Sequence, residues 1–297
     1  MLRIFLTLLG VLVIAFVLGR ATGDPAAMMM PIEATDADIQ RTRQMLGLDR
    51  PIPVQFVAYV GNILQGDFGT SIARQRPALD VVMDRVPATI ALGVPAFVLA
   101  VVLGIPAGLA AAYSRNRFLD HLLMSWSLAG QSLPSFFLGI ALILIVSVQL
   151  NLTPTFGNDT WRHYILPTFT LTVYPLAIII RLTRSSVLEV LSSDYVRTAR
   201  AKGLNERHVS YIHVLRNALV PVVTVIGLQV AGIISGSAIV ETVFAWPGIG
   251  ALAVSAVGQR DFPVIQTVVL LTAFSFSLVN VAVDVIYVWL DPRIRHA

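Results

Sequence analysis

"ATIALGVPAFVLAVVLGIPAGLAAAY", residues 88–113, runs for 26 residues without a charged side chain. About 20 residues of α-helix cross a hydrocarbon layer of ~30 Å, so this stretch is long enough to span a bilayer. Its interior carries Pro95, Gly104, Pro106 and Gly108. A soluble helix would be broken or weakened by them. Bundled membrane helices tolerate them and use small residues to bring backbones close. The segment therefore predicts an all-α, polytopic membrane protein.

The same pattern recurs on both sides of it. Ile4–Gly19, Leu122–Leu150, His163–Ile180, Asn217–Val240 and Phe262–Val283 are also uncharged, which gives six predicted transmembrane helices. The first, with Met1-Leu2-Arg3 before it and "GRATG" at its end, also fits a cleavable signal peptide; we read it as an uncleaved span over 1–22. Only 13% of the chain is charged and 56% is hydrophobic, where soluble domains carry about 25% charge. The lack of cysteine excludes disulfides and thiolate metal sites.

Orientation follows from arginine and lysine placement. With the N-terminus inside, the inner segments hold twelve basic and five acidic residues, and the outer ones nine arginines and eleven acids. Among short connections, Arg115 and Arg117 lie inside, whereas the later outer loops hold only Arg162 and Arg260. Both termini are thus predicted to be cytoplasmic. This charge placement accounts for the net +4 without nucleic acid as a partner. Residues 23–87 form an extracytoplasmic insertion with turn signals at Gly23-Asp24-Pro25, Asp49-Arg50-Pro51 and Gly66-Asp67. Helical spacing there covers Ala37–Leu46 and Val54–Leu64. Residues 88–297 form a five-helix core with a cytoplasmic loop at about 182–216.

That loop contains "DYVRTARAKG", residues 194–203, and the chain's only lysine, Lys202. Leu188, Leu191, Tyr195 and Ala199 follow helical spacing. Ser193 or Asp194 can cap a helix start. Arg200 and Lys202 suit the negative end of its dipole, and Gly203 a left-handed stop. Asn205 can cap a second helix, with Glu206 in its first turn, running on toward Asn217. Two uses remain open for this knob: retention of the loop inside against anionic lipid, or docking onto a cytoplasmic partner.

The run "SSDYVRTARAKGLNERHVSYIHVLRNALVP" closely resembles the coupling loop of permease subunits in ATP-binding-cassette importers. The general pattern is Glu-Ala-Ala, three residues, Gly, nine residues, then Ile-x-Leu-Pro. Anchored on Gly203, its first positions fall on Arg197, Thr198 and Ala199, and its last on His213, Val214, Leu215 and Arg216. Arg197 replaces the Glu and Arg216 the Pro, as in the dipeptide, oligopeptide and nickel permease subfamily. "GDPA" (23–26), "LGLDRPIPVQF" (46–56), "QGDFGTSI" (65–72), "RVPATIALG" (85–93), "ETVFAWPGIG" (241–250), "RDFPVIQ" (260–266) and "LDPRIR" (290–295) resemble that subfamily in order. "LTPTFGNDTWRHYILPTFTL" (152–171) looks most like glutathione-importer permeases.

The resemblance implies a type I importer permease fold in a bacterial cytoplasmic (inner) membrane, importing peptides such as di- or oligopeptides or glutathione. It implies a second homologous permease subunit, two ATPase subunits that bind ATP and Mg²⁺, and an extracytoplasmic substrate-binding protein, with no cofactor in this chain. Asp194, Tyr195, Arg197, Thr198, Ala199, Arg200, Lys202, Gly203, Leu204, Leu215 and Arg216 would form the coupling loop. Trp246-Pro247-Gly248, with Glu241, would stand near an outer gate.

Other classes fit the residues less well. A phosphate-binding loop needs Gly-Lys-Ser/Thr, but Lys202 stands between Ala201 and Gly203. An ion-coupled carrier places ionisable groups at mid-bilayer; the one candidate, Asp284, lies ~33 Å along the helix from Phe262, at the inner boundary. A permease for nickel or another small solute is the nearer alternative. A membrane enzyme lacks support: the five histidines are scattered, and His208 and His213 are not at the i, i+4 spacing of a helical metal pair.

Overall fold

The computed structural model describes residues 2–21, 35–45, 47–114 and 117–290. Among them every regular element is helical apart from one isolated bridge, Thr70–Pro77. In chain order these are α1 (Leu2–Ala21), α2 (Asp36–Met45), α3 (Ile52–Leu64), α4 (Ala78–Met83), α5 (Val86–Tyr113), α6 (Arg117–Ser132) and α7 (Ser135–Leu142). There follow α8 (Arg162–Leu191), α9 (Asp194–Ala201), α10 (Glu206–His208), α11 (Arg216–Val243), α12 (Ile249–Gly258) and α13 (Phe262–Leu290). π-Helical turns extend α7 over Ile143–Gln149 and join α10 to α11 over Val209–Leu215.

By length and composition, Ala78–Tyr113, Arg162–Leu191, Glu206–Val230 and Phe262–Val283 can each cross a membrane. Within α1 the apolar helical stretch is the shorter Leu6–Val17. The stretch Leu122–Leu150, expected as one span, is two helices bent by 104°. Pro134 is the cause. It offers no N–H to the Gly130 carbonyl and biases Leu133 away from helical backbone. Pro95, Pro106, Pro167, Pro175 and Pro221 instead sit inside continuous helices. The turn signal Gly23-Asp24-Pro25 and the charges Arg115, Asp291, Arg293 and Arg295 lie outside the described residues, as does the side chain of Asp284.

The chain divides into two compact units. The first joins Met1–Pro87 to Ala251–Ser277. In α1, Phe16 is buried and meets Phe56 edge-on at 5.2 Å, while the Ala15 carbonyl accepts from Gln266 Nε2 at 2.9 Å. Helices α2 and α3 occur almost where the spacing predicts. Thr35 opens α2 by donating its amide and hydroxyl to Asp38, which returns its own amide. This capping box was not foreseen. The Thr35 hydrogen bonds hold the Asp38 carboxyl below the usual carboxylate range. The central tie of the unit is Asp261, fully buried. It accepts from the Ser71 hydroxyl at 2.5 Å and from the amides of Ile72 and Ala73 at 3.1 and 3.3 Å. Thus "QGDFGTSI" and "RDFPVIQ", far apart in sequence, are one hydrogen-bonded construction.

The second unit joins Ala88–Gly250 to Leu278–Ala297 and is built around α8. Helix α5 approaches α8 along Ala96, Ala100, Gly104 and Gly108, all buried and spaced by four. A Cβ at Gly104 would lie 2.7 Å from Ile179 Cγ2, and one at Gly108 2.7 Å from the Ile180 carbonyl. Small residues at this spacing let helix backbones touch. The opposite edge of α5 presents Ile90, Val94, Val98 and Val102, each about half exposed. Such an apolar outer surface suits lipid, not water.

Two consequences can be measured. Asp261→Ala strips the acceptor from three donors at a buried site, which costs about 2 kcal/mol or more. Trypsin should then cut after Arg74 several-fold faster than in the unaltered chain. Gly108→Val should overpack the α5–α8 contact by about 1–3 kcal/mol, lowering the folded yield on size-exclusion chromatography.

Candidate functional site

The loop 182–216 is a structured knob. Helix α8 ends at Leu191, and Ser193 takes the extended backbone of an N-cap for α9. Its hydroxyl, however, donates back to the Val190 carbonyl at 2.6 Å instead of capping α9. At the far end Gly203 has φ +76°, its amide donates to Arg200 O at 2.9 Å, and the Leu204 amide reaches Ala199 O at 3.4 Å. That pair of bonds is a Schellman ending. Asn205 Oδ1 accepts from the Arg207 amide at 3.0 Å, capping α10 as expected. Arg200 clamps the turn through a two-pronged pair with Glu206, at 2.8 and 3.3 Å.

Beneath this surface the knob has its own apolar core: Val187, Val196, Ala199, Val209, Val214 and Ala218. The stripe expected from spacing, Leu188–Leu191–Tyr195–Ala199, is therefore displaced. Tyr195 is 46% exposed, and Val196 is fully buried in its place. The reason is the break at Ser192–Ser193, which resets the helical register between α8 and α9. Ala199 faces this core, whereas Asp194, Tyr195, Arg197, Thr198, Arg200, Lys202, Gly203, Leu204 and Arg216 remain on the outer surface. Leu215 is half-buried and lines, with Leu109, Tyr113, Arg207 and Tyr211, a groove of about 630 Å³. After α10 the helix widens to a π-helix, which brings His208 and His213 to 6.0 Å between ring centroids. Their five-residue separation, apart on an α-helix, is adjacent on this wider turn.

The second group predicted from sequence also converges. Glu241 is fully buried, and its carboxyl oxygens accept from the Thr89 hydroxyl at 2.8 Å and the Gly250 amide at 2.7 Å. Thr89 in turn accepts from the Ile249 amide. Trp246, 1% exposed, donates its indole N–H to the Ala88 carbonyl at 2.8 Å and packs edge-on to Tyr164. Gly248 is buried over Glu241, where an added Cβ would stand 2.3 Å from the carboxyl carbon. Pro247 is partly buried beside it. Glu241 is thus a structural tie between the start of α5 and the turn after α11. Thr89, which the sequence did not single out, is its essential partner.

A further pair escaped sequence reading. Arg184 Nε and Nη2 donate to the two carboxyl oxygens of Asp120 at 2.5 and 2.6 Å, binding the start of α6 to α8. The signal was one acid beside a span boundary and one arginine beside another.

A helical bundle with a firm, capped knob at one helix-to-helix connection is what the resemblance to importer permeases predicts. Residues 104–296 match the family described as the binding-protein-dependent transport system inner membrane component, and residues 1–93 match its N-terminal counterpart. The chain belongs to this family and is a permease of the inner membrane. Among its relatives, the glutathione transport system permease protein GsiC of Escherichia coli (strain K12) is 46% identical over 291 residues, covering 98% of this chain and 95% of the relative. The protein of the same name from Salmonella typhimurium (strain LT2) is 47% identical over the same lengths. The fold is similar to that of the MetNI methionine ABC transporter in an inward-facing conformation, with TM-score 0.58 and 20% identity over 71% of this chain and 96% of that one. It is also similar to an amino acid ABC transporter crystallised with histidines, at TM-score 0.58 and 14% identity over 70% and 93% of the two chains.

Gly248→Ala drives a methyl group into the Glu241 carboxyl and should destabilise the chain by about 1–3 kcal/mol. Gly258→Ala, where a Cβ meets nothing within 4 Å, should leave thermal stability in detergent nearly unchanged.

Proposed function

We propose that this chain is one of two permease subunits in an ATP-driven importer of glutathione or similarly short peptides. The observation that carries this is likeness to glutathione permeases along almost the entire chain. In this reading the chain crosses the membrane six times with both termini in the cytoplasm. Residues 23–87 meet an extracytoplasmic binding protein, and two ATPase subunits hold ATP and Mg²⁺. The knob seats in those ATPases through its exposed face, with Tyr195 and Leu204 as apolar contacts and Arg197, Arg200 and Lys202 around them. The turn holding Glu241, Trp246, Pro247 and Gly248 stands near the outer mouth as a firm corner.

Proteoliposomes holding all subunits should accumulate labelled glutathione only with ATP inside the nucleotide-accessible compartment, and vanadate should stop it. Uptake by this chain alone, driven by a proton gradient, would sink the reading. The knob makes a sharper test possible, because its core and its surface can be altered separately. Tyr195→Asp or Leu204→Asp should cut transport and binding-protein-stimulated ATPase activity about tenfold while membrane levels hold. Val196→Asp should lower the folded amount itself, since it buries an unpaired charge. Arg197→Ala, which removes an exposed ion pair with Asp194 at 3.3 Å, should change either rate less than about twofold.

A further inference from the structure

The bend at Pro134 opens a cavity of about 440 Å³ within the second unit. Its wall is formed by the end of α6, the start of α7, the middle of α8 and Gln229 of α11. The volume falls in the ~300–1,000 Å³ range of small-molecule pockets. Most of the wall is apolar, but Gln131, Ser135, Thr170, Tyr174 and Gln229 bring side-chain polar groups to it. Thr170 is already occupied, donating to Leu166 O at 2.8 Å. Gln131 is not: its Nε2 is enclosed, and among the described residues no group accepts from it. A buried amide donor without an acceptor is costly, and native structures rarely keep one without a use.

We infer that this cavity is a transit subsite for short peptides, with Gln131 Nε2 donating to a peptide carbonyl or carboxylate oxygen. The inference rests on the peptide-import reading and adds residues to it. Three features point to this ligand class. Among the described residues the lining holds no charged side chain, so it lacks the ligands that a metal cation needs. It holds amides and hydroxyls, which an acyl chain would leave unsatisfied. The break also places carbonyls at the end of α6 and free amides at the start of α7 beside one another. Their opposite partial charges match a solute that carries donors and acceptors together.

The chain has no cysteine, so Ser135→Cys supplies a single thiol on this subunit at the pocket wall. In the complete reconstituted importer, S-methylglutathione, which has no free thiol to consume the reagent, supplied with the binding protein and ATP should slow maleimide labelling of that thiol at least threefold. Mannitol at equal concentration should not. In the same system Gln131→Leu should raise the KM for glutathione uptake about three- to tenfold, the range expected for one lost hydrogen bond, with a smaller change in maximal rate. Labelling indifferent to S-methylglutathione, or an unchanged KM, would overturn the subsite and leave the import reading standing. If Gln131→Leu fails to assemble, the labelling result decides alone. A wild-type complex that imports no peptide overturns both.

Discussion

In hydrocarbon no water completes a broken hydrogen bond, so a polar group inside the bundle is costly unless it finds its partner in the protein. The second unit is organised by that requirement around α8. Thr170 and Thr172 turn their hydroxyls back to carbonyls four residues earlier, and Thr172 also reaches the Ala96 carbonyl of α5. Ser127 of α6 donates to the Ala177 carbonyl at 2.5 Å. These contacts demand that backbones approach closely. The small-residue edge of α5 makes that approach possible, and the buried Glu241 receives its donors from both ends of the unit's chain.

Much of this was legible in the residues because it follows from local rules. Uncharged length gave the helices, and glycine, asparagine and the charge at a helix end gave the knob. The left-handed Gly203 and the Asn205 cap arise from interactions within a few positions. What was not legible depends on distant parts of the chain. Nothing around Asp261 announces Ser71, and nothing near Glu241 announces Thr89, because each partner lies more than 150 residues away. The 104° bend shows a subtler limit. Seven prolines lie inside the predicted apolar runs, and only the packing decides that Pro134 divides its run while Pro167 and Pro175 ride within α8. The register shift at Ser192–Ser193 is of the same kind: helical spacing was real on each side, but one stripe could not run through the break.

The knob and the Pro134 cavity are linked by the same two helices. Val187 near the end of α8 and Ala218 near the start of α11 are both in the knob's core. Tyr174 and Gln229, farther along those helices, both line the cavity. They lie ~20 and ~16 Å away along the respective helix axes. An α-helix resists compression over such distances, so a displacement applied to the knob's packed core must be carried toward the cavity wall or absorbed at a weak point. One weak point is evident: the π-helical turn Val209–Leu215, just before α11, where the backbone ladder is wider. The α8 route has no such turn. Each route also crosses one proline, Pro175 at the Tyr174 end of α8 and Pro221 just beyond Ala218 in α11, so a push on the knob would move the two walls of the cavity unequally. Unequal motion of two walls changes the shape of a pocket instead of carrying it along whole, and a transit site must change shape to release what it holds.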